Sequence, residues 1–154
     1  DAGLHRGSVP VPGATLGYAV RGGGTPVLVV GSSLYYHRTF SCRLAESCTL
    51  AVTDLRHFSP CDPGIDAGSL TFDQYADDID RVRAALGFER CVMVGHSKHG
   101  NIALEYAKRH PTRVSGVALI GSPPVGLAAV VEARRDFWDT QASDARKQIH
   151  RRNW

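Results

Sequence analysis

The apolar residues of this chain occur in two patterns, short continuous runs and longer segments in which they recur every three or four positions. A short continuous run predicts a strand buried on both faces, because such a strand needs no polar alternation. The run at residues 26–30 is wholly apolar and fits this description, and further mainly apolar runs that predict strands lie at residues 49–53, 91–94 and 114–120. Two more short strands are predicted within residues 7–21, on either side of a turn at Pro12-Gly13. The chain should therefore form six strands.

The periodic segments predict helices between these strands. The clearest helix covers residues 71–86, and its apolar face is formed by Phe72, Tyr75, Ala76, Ile79, Val82 and Leu86. Thr71 with Gln74 predicts a capping box at its start, and Gly87 predicts its end. Further helices are predicted over 38–47, between Gly100 and Pro111, and over 125–139 and 143–152. Strands that alternate with helices indicate an α/β fold, in which a mostly parallel sheet carries helices on both faces.

Length and charge narrow the class of protein. The 154 residues are enough for a real core, and 43% apolar with 21% charged residues is typical of a globular domain in water. The net charge of +3 is mild. The basic residues gather only near the end, at Arg146, Lys147, Arg151 and Arg152. A solvated helix face explains that cluster better than a binding surface, so we expect neither nucleic acid nor a membrane as a partner.

The first residues and the cysteines indicate the compartment. No apolar run approaches the length of a membrane span, and the first ten residues hold no signal-peptide core. The four cysteines, Cys42, Cys48, Cys61 and Cys91, lack the spacing of a metal site. We therefore expect a reduced, cytoplasmic protein with no metal and no cofactor. A disulfide between Cys42 and Cys48, or between Cys48 and Cys61, stays open at this point.

The candidate chemistry is concentrated in residues 91–111, CVMVGHSKHGNIALEYAKRHP. An apolar strand meets a sharp turn and then an amphipathic helix, with Ser97 at the apex of the turn. A serine in that place is held in a strained backbone conformation that exposes its hydroxyl above the sheet, close to the start of the helix. A serine hydroxyl becomes a nucleophile only with a base beside it and with donors for the developing oxyanion.

The order PVLVVGSS, VTDLRHFSP, VMVGHSKHG, ALEYAKRHP and VSGVALIGSPP resembles the α/β-hydrolase superfamily, of the kind represented by proline iminopeptidases. The resemblance covers nearly the whole chain and implies that Ser97 is the nucleophile. It also implies that the backbone N–H of Lys98 is one oxyanion donor, and that Ser32 or Ser33 supplies the second. Residues 54–59 resemble a turn that shapes the site in this family and does no chemistry.

Histidine stands where the family elbow has glycine, because this chain has His99 two residues after Ser97 and a glycine only at Gly100. We expect His99 to be a packed residue at the helix start, since a side chain there points away from the serine hydroxyl. A Ser97–Lys98 pair is disfavoured, because adjacent residues on a tight turn diverge. We expect Tyr35, Tyr36, His37 and His96 to line a pocket, although ordinary packing explains the first three residues about as well and explains His96 better.

The partners of the nucleophile are missing from the expected places. In this family an acid and then a histidine follow the serine at the ends of later strands. The last predicted strand leads into residues 121–124, which hold no carboxylate, so we expect both partners to come from sequence outside these 154 residues. The resemblance calls for eight strands, and the last two are not found. We expect residues 1–124 to be the core and residues 125–154 to begin a helical lid, in which Phe137 and Trp138 either cover the substrate or pack internally.

Two functions follow from these observations. The first is a serine hydrolase that attacks a small ester or amide and forms an acyl-enzyme on Ser97. The second is a non-catalytic half-domain or pseudoenzyme that acts as an interaction module. Strand 114–120 would be an apolar sheet edge without charge or proline, so we expect a second polypeptide or a second copy to pair with it. Lyase or isomerase chemistry in the same pocket is not separated from hydrolysis by the sequence.

Overall fold

The computed structural model describes residues 3–60, 70–123 and 127–153. The chain divides into two compact units, Asp1–Ser122 and Pro123–Trp154. Within these described residues, the first unit holds the sheet and three α-helices, and the second holds two α-helices. Cys61 and residues 124–126 lie outside the described residues, whereas Cys42, Cys48 and Cys91 are free thiols.

A six-stranded mixed sheet forms the centre of the first unit. Its strands are β1 (His5–Val11), β2 (Ala14–Arg21), β3 (Thr25–Gly31), β4 (Cys48–Asp54), β5 (Cys91–His96) and β6 (Val114–Ile120). They lie in the order β1-β2-β4-β3-β5-β6. The pairs β1–β2 and β2–β4 are antiparallel, and the pairs β4–β3, β3–β5 and β5–β6 are parallel. The prediction of six strands in a mostly parallel sheet is confirmed.

The helices of the first unit are α1 (Ser33–Tyr36), α2 (Phe72–Ala85) and α3 (His99–Arg109). The capping box predicted for α2 is present: the Gln74 N–H donates to Thr71 Oγ1 at 3.2 Å, and the Thr71 N–H donates to Gln74 Oε1 at 3.4 Å. Gly87 ends the helix with φ +70°, a conformation that glycine adopts without strain. Both ends of α2 are therefore determined by local residues.

Two predictions about helices are wrong in detail. Residues 38–47 contain only a 3-10 turn, Cys42–Glu46, because Thr39 and Ser41 bond locally: Thr39 Oγ1 donates to the Tyr36 carbonyl, and Ser41 Oγ accepts from the Arg43 N–H. Such bonds compete with an α-helix. Phe72 is 52% exposed, because it is the first residue of α2 and does not reach the sheet.

The core lies on both faces of the sheet. On one face Leu28, Val30 and Met93 pack with residues of α2 and α3, which include Ala76, Ile79, Ile102, Ala103 and Tyr106. On the other face Val27, Val29 and Val94 pack with Tyr36 of α1 and with Leu50 and Val52. Successive side chains of a strand point to opposite faces, so a segment with both faces buried must be apolar, as residues 27–31 of β3 are.

A buried ion pair joins the segment after β4 to α2. Arg56 Nε lies 2.5 Å from Asp78 Oδ2, and Arg56 Nη2 lies 2.9 Å from Asp78 Oδ1; the two side chains are 3% and 2% exposed. Arg56 Nη1 also donates to the Pro12 carbonyl at 2.7 Å. The guanidinium therefore connects the β1–β2 turn, the end of β4 and α2, and it fixes the segment that borders the candidate site.

The edge strand β6 exposes apolar side chains. It pairs with β5 alone among the described strands, and Val117, Leu119 and Ile120 are 37%, 45% and 47% exposed. The strand carries neither a charge nor a proline, which are the usual protections of an edge.

The second unit contains α4 (Leu127–Thr140) and α5 (Asp144–Asn153). The two helices contact each other through the rings of Trp138 and His150, whose centroids are 5.0 Å apart. Lys147 Nζ donates to the Asp139 carbonyl at 3.0 Å. None of the helices in the described ranges of the two units has the length and the apolar sequence that are needed to span a lipid bilayer.

Candidate functional site

Ser97 lies in a sharp turn between β5 and α3. Its φ is +55°, and among the described residues it is the one residue other than glycine with a positive φ. The left-handed conformation costs an L-residue about 1–2 kcal/mol, so the surroundings must hold it in place. The Ser97 N–H donates to the Ile120 carbonyl at 3.0 Å, which ties the turn to the end of β6. Strain of this kind is typical of functional turns.

Two glycines make the turn sterically feasible. A Cβ on Gly95 would lie 2.5 Å from Gly100 Cα and 2.7 Å from Gly100 N, both of which are backbone atoms. A Cβ on Gly100 would overlap the side chain of Ser122 and lie 3.3 Å from Leu119 Cδ2. The close approach of helix to strand thus falls at Gly100, and for that reason residue 99 can carry a large side chain.

The His99 imidazole fills a buried space beside the turn, with 5% of the residue exposed. The rings of Tyr36, His57 and Phe58 surround it at centroid distances of 6.1, 5.7 and 5.7 Å. Its Nδ1 lies 3.4 Å from Tyr36 Oη, and its Nε2 has no hydrogen-bond partner among the described residues. Burial, with the nearby charges of His57, Lys98 and His96, lowers the pKa of His99 to about 4. The ring is therefore neutral near pH 7.

The backbone of the turn offers N–H groups to an anion. The Gly100 N–H donates to the Ser97 carbonyl and the Asn101 N–H to the Lys98 carbonyl, at 3.0 and 3.2 Å. None of the hydrogen bonds between described residues uses the N–H of Lys98 or of His99. These two groups lie at the positive end of the α3 dipole, where a negative charge is stabilised.

Of the two serines suggested as donors in the loop after β3, Ser32 is the one whose N–H is not bonded to another described residue. The Ser33 N–H donates to Asp54 Oδ1 at 2.5 Å, and Ser33 Oγ donates to Asp54 Oδ2 at 3.1 Å. Ser33 is buried and its N–H is already committed, so it is not free to bind an oxyanion. The Ser32 N–H takes part in no hydrogen bond between described residues. Asp54 instead holds the loop in place from the end of β4.

A cavity of about 250 Å³ opens beside the turn. Its walls are Val29, Tyr35, Tyr36, Thr39, Phe40, Val94, His96 and Ile120. Three of the four residues that the sequence suggested as lining are therefore found there. His37 is not: its Nδ1 lies 2.6 Å from the Ser33 carbonyl and its Nε2 lies 3.1 Å from Arg6 Nη2. It follows α1 directly, so its ring folds back onto that turn.

No histidine in the described residues is hydrogen-bonded to the Ser97 hydroxyl. His57 is exposed overall and its Nδ1 lies 3.1 Å from Tyr75 Oη; partial desolvation of its ring and the charge of Lys98 lower its pKa. His110 packs its ring on Tyr106 at the far end of α3, at a centroid distance of 4.8 Å. His150 belongs to the second unit. Within the same residues, no three His, Cys, Asp or Glu side chains are grouped so that they could hold a metal ion.

Sequence reasoning missed two contributors to this site. Asp54 was placed in a turn that shapes the site, but its bonds to Ser33 were not foreseen; an acidic residue directly after a buried strand was the available signal. The contact of Tyr36 with both His96 and His99 joins residues about sixty positions apart, and no local pattern reveals it.

The comparisons with known proteins agree with this architecture. A family model described as "alpha/beta hydrolase fold" matches residues 22–150. The AB hydrolase superfamily protein YclE of Bacillus subtilis (strain 168) is 34% identical over 136 residues, which cover 88% of this chain and 48% of YclE.

Two solved structures are similar. A bacterial membrane phospholipase A is 29% identical with a TM-score of 0.69, over 80% of this chain and 41% of that one. A proline iminopeptidase-related protein of Thermus thermophilus is 27% identical with a TM-score of 0.67, over 77% of this chain and 45% of that one.

The chain spans about half the length of YclE and slightly less of the two solved structures. The family match covers most of this chain, because it runs from the loop before β3 to α5. Fold, strand order and family match together show that this chain belongs to the α/β-hydrolase family.

Proposed function

We propose that the protein is a serine hydrolase that acts on a small ester or amide through an acyl-enzyme on Ser97. The observation that carries the proposal is the left-handed backbone of Ser97 between a buried strand and a helix. Backbone strain persists where it serves a function, and in a strand–turn–helix of this kind the strained conformation presents the serine hydroxyl to a substrate. The histidine base and the acid are supplied by sequence outside these 154 residues.

The reaction begins with attack of Ser97 Oγ on the carbonyl carbon of the substrate. The Ser97 proton passes to the histidine base, and the electron pair of the C=O bond moves onto its oxygen. When the tetrahedral intermediate collapses, the C–O or C–N bond to the leaving group breaks, and the leaving alcohol or amine takes the proton from the base. Water then repeats the sequence at the acyl-enzyme, releases the acid and restores Ser97.

The N–H groups of Lys98 and Ser32 bind the oxyanion in this scheme. The first lies at the start of α3, and the second lies in the loop that Asp54 holds. Fixed donors need no reorganisation when the charge develops, and the loss of one such donor costs roughly 10²–10³-fold in kcat. The cavity beside the turn then accommodates the acyl part of the substrate, for which its apolar wall of Val29, Val94 and Ile120 is suited.

Active-site labelling tests the assignment of Ser97. A fluorophosphonate probe should label the full-length protein at one serine, and Ser97→Ala should remove the label. Ser115→Ala is the matched control, since Ser115 is an exposed serine of β6, and this variant should label like the wild type. Labelling of Ser97→Ala at the wild-type level would show that Ser97 is not the nucleophile.

A second candidate function rests on the exposed edge of β6. A non-catalytic module would use the unpaired N–H and C=O groups of that strand to bind a strand of a second polypeptide or of a second copy. It predicts a discrete complex in which Ser97 does not react with the probe. The labelling experiment therefore separates the two candidates.

A further inference from the structure

Three side chains beside the turn form a row of hydrogen bonds. Tyr36 Oη lies in the middle, 3.0 Å from His96 Nδ1 and 3.4 Å from His99 Nδ1. The rings of both histidines meet the Tyr36 ring nearly edge to face. Tyr36 and His99 are buried, whereas His96 is exposed, directly precedes Ser97 and lines the cavity. The row therefore runs from the interior to the cavity wall.

The number of hydrogens on the three side chains determines which of them donates and which accepts in this row of hydrogen bonds. A tyrosine hydroxyl has one hydrogen, and a neutral imidazole has one N–H and one lone pair. Tyr36 can thus donate to one histidine while it accepts from the other. His99 Nε2 is buried without a partner among the described residues, and a buried N–H left alone costs more than a buried lone pair. The proton of His99 therefore sits on Nδ1 and is donated to Tyr36 Oη.

The remaining positions follow from this one. Because Tyr36 Oη accepts from His99, it donates its own hydrogen to His96 Nδ1. His96 Nδ1 then holds a lone pair, so in the neutral ring the proton must be on Nε2. None of the hydrogen bonds between described residues engages that nitrogen, so it is left available to a ligand.

We propose that His99 and Tyr36 are positioning residues that fix His96 as an Nε2–H donor at the wall of the cavity, and that this donor selects substrates whose acyl part carries a hydrogen-bond acceptor. An ether or carbonyl oxygen in the acyl chain has the required chemistry. The substrate part of this inference rests on the proposed function of Ser97, whereas the proton arrangement does not.

The surroundings of His99 favour the neutral ring that the row requires. The groups that face it are Tyr36 of α1, His57 and Phe58 of the segment after β4, and His96 and Lys98 of the turn. None is acidic and several can be positive, so a second proton on a buried imidazole would be strongly disfavoured. A charged His99 would donate from both nitrogens, but only the neutral form leaves Nε2 as a lone pair.

The cavity offers few other donors to a substrate. Thr39 Oγ1 donates its hydrogen to the Tyr36 carbonyl at 2.9 Å, so its hydrogen is not available. The hydrogen of Tyr36 is committed to His96 in the proposed row. The other walls are apolar except for Tyr35, which is 62% exposed. The Nε2–H group of His96 is thus placed to decide between an acyl chain with an acceptor and one without.

Nitrogen NMR of the histidine rings in the full-length protein tests the proton arrangement. We expect the neutral His96 ring of the wild type to show a lone pair at Nδ1 and a proton at Nε2. Tyr36→Phe keeps the ring but removes the hydroxyl, so His96 should become a mixture of the two tautomers. His99→Leu should also produce a mixture of His96 tautomers, with a smaller share of the second tautomer. His99→Asn supplies an amide donor near the position of Nδ1 and should preserve the wild-type tautomer of His96. A tautomer mixture in the wild type, or no change in Tyr36→Phe, would overturn the proposal.

Kinetics with two matched esters test the selection of substrate. One ester carries an ether oxygen in its acyl chain and the other a methylene in the same place. In Tyr36→Phe the ratio of their kcat/KM values should fall about twofold, because an even mixture of tautomers leaves the Nε2–H donor in about half of the molecules. His99→Asn should restore the ratio that His99→Leu loses. If the fluorophosphonate labels Ser97 but the ratio does not change, the proposed selection by His96 is wrong while the proposed function of Ser97 stands. If Ser97 is not labelled, the proposed function fails, and the NMR result still decides the arrangement of protons.

Discussion

Replacing Gly95 with alanine should damage both the stability of the protein and the geometry of its turn. The added Cβ would lie 2.5 Å from Gly100 Cα and 2.7 Å from the His99 carbonyl oxygen, and ordinary contacts begin at 3.4 Å. These are backbone atoms, so no side-chain rotation relieves the overlap. The start of α3 must instead move by about 0.9 Å. Crowding of this kind in a packed region costs about 1–3 kcal/mol.

Alanine also restricts the unfolded chain, which returns about 0.4–1 kcal/mol of stability. We therefore expect a net loss of about 1–2 kcal/mol in the free energy of unfolding. Urea denaturation followed by circular dichroism measures this difference as a lower midpoint. The displaced helix start also moves the Lys98 N–H, and a misplacement near 1 Å can cost about 10²-fold in rate. The rate of fluorophosphonate labelling should fall accordingly.

Gly116→Ala is the matched control for this experiment. A Cβ there would meet only Val92 Cγ2 at 3.9 Å, an ordinary contact, and Gly116 lies in β6 beside β5. Its stability should equal or exceed that of the wild type. The steric account of the turn is refuted if Gly95→Ala is as stable as Gly116→Ala and labels Ser97 at the wild-type rate.

Two further predictions concern acid stability and the sheet edge. Burial alone would raise the pKa of Asp80, but hydrogen bonds from Arg83, Arg113 and Tyr106 outweigh it and lower the pKa to about 2, below the ordinary 3.8. Because the folded-state pKa is depressed, this carboxylate stabilises the fold above pH 4 and loses its effect as the pH falls towards 2. Asp80→Asn should therefore lower the free energy of unfolding by about 2 kcal/mol at pH 7 and by almost nothing near pH 2. Asp77→Asn, at an exposed position of α2, should leave the free energy of unfolding unchanged at both pH values. The second prediction is that residues 1–154, expressed alone, associate through β6. Sedimentation velocity should show an oligomer or aggregate that grows with protein concentration, and Val117→Lys should weaken this association. A monomer at high protein concentration would contradict the prediction.

Elements of the fold were predicted well from the sequence where residues close together in the chain determine them. Helix α2 was predicted with its capping box and its terminal glycine, because Thr71, Gln74 and Gly87 act within one turn of the chain. Strand β6 was predicted at residues 114–120, since a short apolar run has few alternatives. The helix expected over 38–47 did not form, because side-chain bonds such as Ser41 Oγ to the Arg43 N–H compete with helical periodicity.

The site was predictable at its centre and less so around it. The strand–turn–helix pattern located Ser97, and the structure gives that residue a positive φ. The choice between Ser32 and Ser33 could not be made from sequence, because it depends on the carboxylate of Asp54, twenty-one residues from Ser33. His37 was suggested for the pocket on the basis of its neighbours in the chain, but its bonds to Ser33 and Arg6 turn it elsewhere. Contacts between distant segments decide such details.

The central place of β3 in the sheet also governs when the turn can form during synthesis. β3 is made before either of its neighbours, β4 and β5, so its apolar side chains have no partner strand at first. Pairings between distant segments form more slowly than local ones and leave apolar surface exposed for longer. The Ser97 N–H bonds to Ile120, the last residue of β6, so the strained backbone is held only after β6 has joined the sheet. A nascent chain therefore carries no assembled turn, and Ser97 takes up its half-buried position at the apex only when the sheet beneath it is in place.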